Sequence, residues 1–340
     1  MRIAIVNDNH ESLTILKHIV NTETNYEIAW TAVDGESAIN KCKDDTPDLI
    51  LMDMIMPGMS GVEASRTIMQ ETPCAILIVT ASVSGNAAMV FEAMSYGALD
   101  VVQTPFSDIN SPETETEDFL RKLKIINNLI NTDKEKGTAP TDKVASLSKS
   151  PQKTIIVIGA STGGPGALAT ILQDIPEDFS SPIVIVQHVD SSFTHNFADW
   201  LNKQSKLTVR IAKKGEQPQA GTVLVAGKTE HLIMTKNETF DYSEQYKELI
   251  YKPSVNVLFN SIAENWKGNT IAVLLTGMGK DGAQGLSNIK NLGGHTITQT
   301  EDTCAVYGMP KAADDIGASM QSLAPNDIAN TIVDIVKTQS

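Results

Sequence analysis

Short apolar runs alternate with stretches of helical period along this chain, stop at one long polar tract, and then resume. No other feature constrains the fold as much. Strands separated by helical crossovers pair in parallel, and a parallel sheet is covered on both faces. Before the tract the predicted strands are 2–6, 26–32, 49–53, 74–79 and 100–102, with helical stretches at 12–20, 36–42, 62–70 and 87–96, the last ended by Gly97. A five-stranded parallel sheet is expected there. After the tract, strands are predicted at 154–160, 182–188, 207–212, 222–226 and 270–276, and 231–242 reads as a short antiparallel hairpin. The second sheet is therefore expected to be doubly wound and mostly parallel, with that hairpin attached.

The tract, NNLINTDKEKGTAPTDKVASLSKSPQK, has no sustained apolar period after Ile130. Such a composition buries too little surface to offset the entropy of ordering, so it reads as a linker. The expected organisation is a first domain over 1–122, a linker over 123–152 and a second domain over 153–340. Charge is divided unevenly within the net −14: 7 Lys and Arg face 19 Asp and Glu through Leu123, against 20 and 22 beyond it. Neither half is basic and no helix-turn-helix signal is present, which argues against nucleic acid as a partner. Cys42, Cys74 and Cys304 show neither a disulfide framework nor zinc spacing. The opening MRIAIVNDNHE is too short an apolar run for a signal peptide. No run approaches the roughly 18 apolar residues of a membrane helix. A cytoplasmic chain without membrane insertion is expected.

Polar residues gather where the strands of the first half stop: Asn7 and Asp8 after the first, Asp53 at the end of the third, Thr80 at the end of the fourth. In an open α/β sheet these carboxyl ends line the edge where ligands bind. Asp8 and Asp53 together suit a hard cation such as Mg²⁺, and Asp53 beside it can accept a phosphoryl group. Taken singly, each carboxylate also reads as an ordinary loop residue or helix cap. Met52, Met54, Met56 and Met59 read as flexible filler.

In the second half, the strand at 154–160 runs into GASTGGPG and then a helical stretch. Gly159, Ser161 and Gly163 fit the nucleophile-elbow pattern, which exposes a serine hydroxyl beside helix N-terminal amides. An anion-binding loop remains an alternative, since the same helix start binds anions. A base and a carboxylate on the same edge favour the nucleophile: His188 ends the strand PIVIVQ, and Asp281 follows AVLLTGMGK. In that set the histidine takes the serine proton and the carboxylate fixes its tautomer. The chain order Ser, His, Asp differs from that of the α/β-hydrolases. His10, His18, His195, His231 and His295 have no partner at metal-ligand spacing and read as surface or partly buried residues.

The run DLILMDMIMPGMSG (48–61) resembles the phosphoacceptor strand and loop of response-regulator receiver domains, a flavodoxin-like fold. The resemblance implies Asp53 as phosphoacceptor, Thr80 as switch hydroxyl, and Asp8 with Asp53 as Mg²⁺ ligands. It departs at Asn7, where most receivers carry a second acidic ligand, and at Thr104, before Pro105, where they carry a lysine. GASTGGP, the strand ending in QH, KPSVNVLF, LLTGMGKDGAQGL and YGMPKAA together resemble the CheB family of chemoreceptor methylesterases. That resemblance implies Ser161 as nucleophile, His188 as general base and acid, Asp281 as its orienter, and Thr162 and Met278 bordering an oxyanion site. It also implies methyl-accepting chemoreceptors as substrates and deamidation of receptor glutamines. A CheA-type histidine kinase acting on Asp53 would relieve inhibition by the receiver, and the catalytic half would need no cofactor. TPDLILMD and ETPCAILIVTAS look like the WspF-like branch. The rival expectation is a receiver-controlled protein whose second half binds receptor or nucleotide without turnover.

Overall fold

The computed structural model describes residues 1–81, 83–105, 113–132, 153–189, 193–245, 249 and 251–339. The chain divides into two units, Met1–Thr138 and Ala139–Ser340.

The first unit alternates β1 (Arg2–Val6), α1 (His10–Glu23), β2 (Glu27–Ala32), α2 (Gly35–Asp44), β3 (Leu49–Met52), α3 (Gly61–Glu71), β4 (Ala75–Thr80), α4 (Val83–Ser95), β5 (Asp100–Gln103) and α5 (Glu113–Thr132). Its five strands pair in the order β2-β1-β3-β4-β5, all parallel. All four residues of β3 are buried, as a strand in the middle of a sheet covered on both faces must be. α3 starts on a full capping box: the Ser60 hydroxyl accepts from the Glu63 amide and the Glu63 carboxylate from the Ser60 amide. The strand order reverses at β1, so Asn7, Asp8 and Asp53 leave the sheet on either side of the switch point where such folds bind ligands.

α5 runs to Thr132, so the first ten residues of the segment expected as linker, 123–132, are helical. Phe119, Leu123 and Ile126 recur at helical spacing and are buried in the core of the first unit, which is what extends the helix. The rest of that linker, 133–152, lies outside the described residues.

The second unit comprises β6 (Thr154–Ala160), α6 (Gly164–Asp174), β7 (Ile183–Gln187), α7 (Thr194–Gln204), β8 (Thr208–Ile211), β9 (Thr222–Val225), β10 (His231–Met234), β11 (Phe240–Ser243), α8 (Val255–Asn265), β12 (Asn269–Leu274), α9 (Ala283–Asn291), β13 (His295–Gln299), α10 (Met309–Asp315), β14 (Gln321–Leu323) and α11 (Pro325–Gln339). Seven strands pair in parallel in the order β14-β13-β12-β6-β7-β9-β8, and β10 with β11 forms a separate antiparallel pair. β13 and β14 extend the sheet beyond the strands expected from the sequence. Every residue of β6 is buried. Full burial of each large aliphatic side chain is worth about 1.5–3 kcal/mol, so this central strand anchors the unit. The chain moves from β6 to β7 on one side and returns to β12 on the other, which places the switch point at the carboxyl end of β6.

Candidate active site

Three chain segments meet at the carboxyl end of β6. Ala160 stands in register with Gln187, so Ser161 and His188 leave adjacent strands at the same level. The His188 amide donates to the Ala160 carbonyl at 2.9 Å. Gln187, buried between them, donates from Nε2 to the carbonyls of Ser161 at 2.8 Å and His188 at 3.1 Å, clamping both strand ends. The Ser161 amide donates to the Thr276 carbonyl at 3.0 Å, tying the serine to the segment after β12. Gly277 permits this closeness, because a Cβ there would stand only 2.6 Å from Ser161 Cβ. The turn closes through Gly163, whose φ of 76° leads into α6 with Pro165 in its first turn.

Asp281 arrives from the loop between β12 and α9. Its Oδ2 lies 2.9 Å from His188 Nε2 across a sequence separation of 93 residues. The same Oδ2 accepts from the Val255 amide at 2.7 Å, while Oδ1 accepts from the Ser254 hydroxyl at 2.8 Å, the Asn256 amide at 3.0 Å and the Gly282 amide at 3.1 Å. Ser254 is the N-cap of α8, so the carboxylate sits on the exposed amides and positive dipole end of that helix. Burial pushes the Asp281 carboxyl up; the hydrogen bond and charge of His188, with the Asn256 and Ser254 hydrogen bonds, outweigh it and hold the carboxyl below its ordinary value. Asp281 is thus a buried, ionised acceptor.

Nε2 of His188 is turned to Asp281, which leaves Nδ1 as the ring nitrogen outside that pair. That nitrogen is buried and, among the described residues, has no hydrogen-bond partner, so the structure joins His188 to Asp281 without a described hydrogen bond from Ser161 to His188. Catalytic hydrogen bonds are often long before substrate binds. Thr162 directly follows Ser161, and Met278 directly follows Gly277. Among the described residues neither amide donates a hydrogen bond, which leaves both available to an oxyanion.

In the first unit, β1 and β3 place Val6 beside Met52, which sets Asn7 next to Asp53. The Asn7 side-chain amide donates to Asp53 Oδ2 at 3.1 Å, and the Met54 amide donates to Oδ1 at 2.7 Å. Burial pushes the Asp53 carboxyl up to about 6, against the amides of Met54 and Ile55, and the nearby Asp8 charge adds to the rise. Asp8 is exposed. Thr80 is buried and accepts from Asn86 Nδ2 at 3.1 Å; Thr104, also buried, donates its amide to the Thr80 carbonyl at 3.0 Å. Two carboxylate donors, one held toward neutrality by burial and by its neighbour, fit a hard divalent cation, which would relieve both effects. Among the described residues no group of three or more His, Cys, Asp or Glu forms a metal cluster, so only two carboxylates are available for such a cation here.

A family model described as CheB methylesterase matches residues 156–332, and one described as response regulator receiver domain matches residues 3–111. The protein-glutamate methylesterase/protein-glutamine glutaminase 3 of Pseudomonas aeruginosa is 43% identical over 335 residues, 98% of this chain and 99% of its own. The chain belongs to the CheB methylesterase family. A second relative, protein-glutamate methylesterase/protein-glutamine glutaminase 2 of Cupriavidus metallidurans, is 45% identical and is also matched over 98% of each chain. The crystal structure of the Thermotoga maritima CheB methylesterase catalytic domain is 37% identical at a TM-score of 0.51, covering 54% of this chain and 98% of that one.

Within this CheB-family chain, several residues that shape the site went unnoticed in the sequence. Ser254 lay inside the motif KPSVNVLF, and a serine before an apolar helical run is an N-cap signal that would have marked it. Gln187, Asn86 and Tyr251 carry no local signal, because their roles depend on what packs against them. His231, expected at the surface or partly buried, is 1% exposed and accepts the Ser254 amide on Nδ1 at 3.0 Å, steadying the start of α8. No described helix is long and apolar enough to cross a membrane.

Proposed function

We propose that this chain hydrolyses glutamate γ-methyl esters on the cytoplasmic domains of chemoreceptors, with Ser161 as nucleophile, His188 as base and acid, and Asp281 as orienter. The observation that carries this reading is the His188–Asp281 pair, seated on the α8 N-terminus beside a serine on the adjacent strand end. Ser161 Oγ attacks the ester carbonyl as its proton passes to His188 Nδ1. The amides of Thr162 and Met278 receive the oxyanion, a contribution of about 10²–10³ per donor in comparable sites. His188 returns the proton to the departing methoxide, and methanol leaves an acyl-Ser161. Water then attacks with His188 as base, freeing the glutamate carboxylate and Ser161. The same acyl transfer on a glutamine amide releases ammonia. The names of the relatives, which pair methylesterase with glutaminase, support both reactions.

The first unit serves as the regulatory half. Asp53 accepts a phosphoryl group from a CheA-type histidine kinase, with the Thr80 hydroxyl turned to the phosphoryl oxygens. Asp8 and Asp53 would hold Mg²⁺, which supplies charge neutralisation at those oxygens. The domain boundaries proposed are the receiver through α5 and the catalytic unit from β6 onward.

The test is methanol release from methylated receptor membranes, with and without a phosphodonor, for the full chain and for Ser161→Ala. Release that depends on Ser161, together with fluorophosphonate labelling of Ser161 that depends on His188, supports the esterase. Receptor binding without release or labelling would establish the non-catalytic alternative.

A further inference from the structure

Among the described contacts, the His188 imidazole is held by one hydrogen bond, from Nε2 to Asp281, and its Nδ1 has none. A ring pinned at one edge can still swing about that contact, and a small swing moves Nδ1 away from the serine. Its face, however, is covered. The Tyr251 ring lies parallel to the imidazole, with centroids 4.5 Å apart and an interplanar angle of 3°. The far end of the same tyrosine reaches the opposite wall of the site: a Cβ on Gly279, whose φ is 84°, would stand 2.9 Å from the Tyr251 hydroxyl. Gly279 directly follows Met278, whose amide is an oxyanion donor in the mechanism above.

We infer that Tyr251 is a positioning residue for the general base, fixing the plane of the His188 imidazole by stacking on its face. This rests on the esterase reading of Ser161, His188 and Asp281. The face of an aromatic ring carries negative quadrupole charge, so it also favours the imidazolium that forms as Ser161 is deprotonated. Misplacing a catalytic group by about 1 Å costs up to about 10²-fold, and a cation over an aromatic face contributes several-fold more. Tyr251 adds no proton transfer of its own; its contribution is the face and not the hydroxyl.

The experiment compares Tyr251→Phe with Tyr251→Leu in the full chain. NMR of the His188 ring protons, assigned with His188→Ala, reads the stack directly, because protons over an aromatic face are shielded. We expect Tyr251→Phe to keep that shielding and near-parent kcat, and Tyr251→Leu to lose the shielding and about tenfold in kcat, with KM for receptor membranes unchanged. In the His188→Ala background, Tyr251→Leu should have no further effect on residual turnover, since the two residues act as one unit. A Leu variant with parent kcat, a Phe variant as slow as Leu, or full additivity with His188→Ala would each overturn the inference. If Ser161→Ala released methanol at the parent rate, the esterase reading would fall instead, and the NMR comparison would still report whether the ring is held.

Discussion

Replacing Asp281 by Asn changes a single atom, and the local geometry fixes its consequence. Oδ1 accepts from Ser254, Asn256 and Gly282, and Oδ2 accepts from Val255 and meets His188. An asparagine must put its NH₂ on one side or the other. Toward Oδ1 it would confront two backbone amides; toward Oδ2 it confronts one, Val255, so the second orientation costs less. In that orientation the NH₂ donates to His188 Nε2, which must then be unprotonated, and the ring proton moves to Nδ1. Nδ1 can no longer take the serine proton. The expected loss is about 10⁴ in kcat, the scale of a triad held in the wrong tautomer, with KM little changed. The Val255 amide, left facing a donor, should cost about 1–3 kcal/mol of stability in the catalytic unit. Methanol-release kinetics and denaturant unfolding of the same preparation read the two effects separately. An Asp281→Asn protein with kcat within tenfold of the parent would refute the tautomer argument, because nothing else in the site can restore a base at Nδ1.

Ser161→Ala and His188→Ala should each cost on the order of 10⁶ in kcat while the protein stays folded, and near-parent release from either would remove it from the mechanism. The Asp53 carboxyl, raised to about 6 from its ordinary 3.8, binds its proton more tightly in the folded than in the unfolded state. Its ionisation therefore costs no stability below about pH 4, costs more as pH rises toward 6, and costs the full amount above that. Asp53→Asn should raise the melting temperature of the receiver at pH 7.5 and leave it unchanged at pH 4; equal shifts at both would contradict the burial argument. Asn7→Asp with Thr104→Lys should tighten Mg²⁺ binding and enlarge activation by acetyl phosphate, because a charged donor bonds about twice as strongly as a neutral one. A double variant no better than the parent in Mg²⁺ titration would mean that another group completes the site. Deleting residues 1–150 should raise basal methanol release, and unchanged release from a stable truncated protein would count against restraint by the receiver.

Strand and helix periods are local, so the sequence alone announced both sheets, the five-strand alternation and the chemistry-bearing ends of β1, β3, β6 and β7. That Ser161, His188 and Asp281 meet on one edge was legible for the same reason: residues that end parallel strands or follow them collect there. The terminal strands β13 and β14 were missed, since short segments gain their structure from what they pack on, and α5 was missed as a whole although Phe119, Leu123 and Ile126 carry its helical spacing. Only the tertiary structure decided which atoms face each other. It turned His188 Nε2 to Asp281, seated that carboxylate on the α8 N-terminus 26 residues away in sequence, and laid Tyr251 flat on the imidazole. In the receiver it turned the Asn7 amide onto Asp53, where a second carboxylate would have repelled it. Contacts of this kind are set by close packing between distant segments, a degree of freedom that periodicity along the chain does not encode.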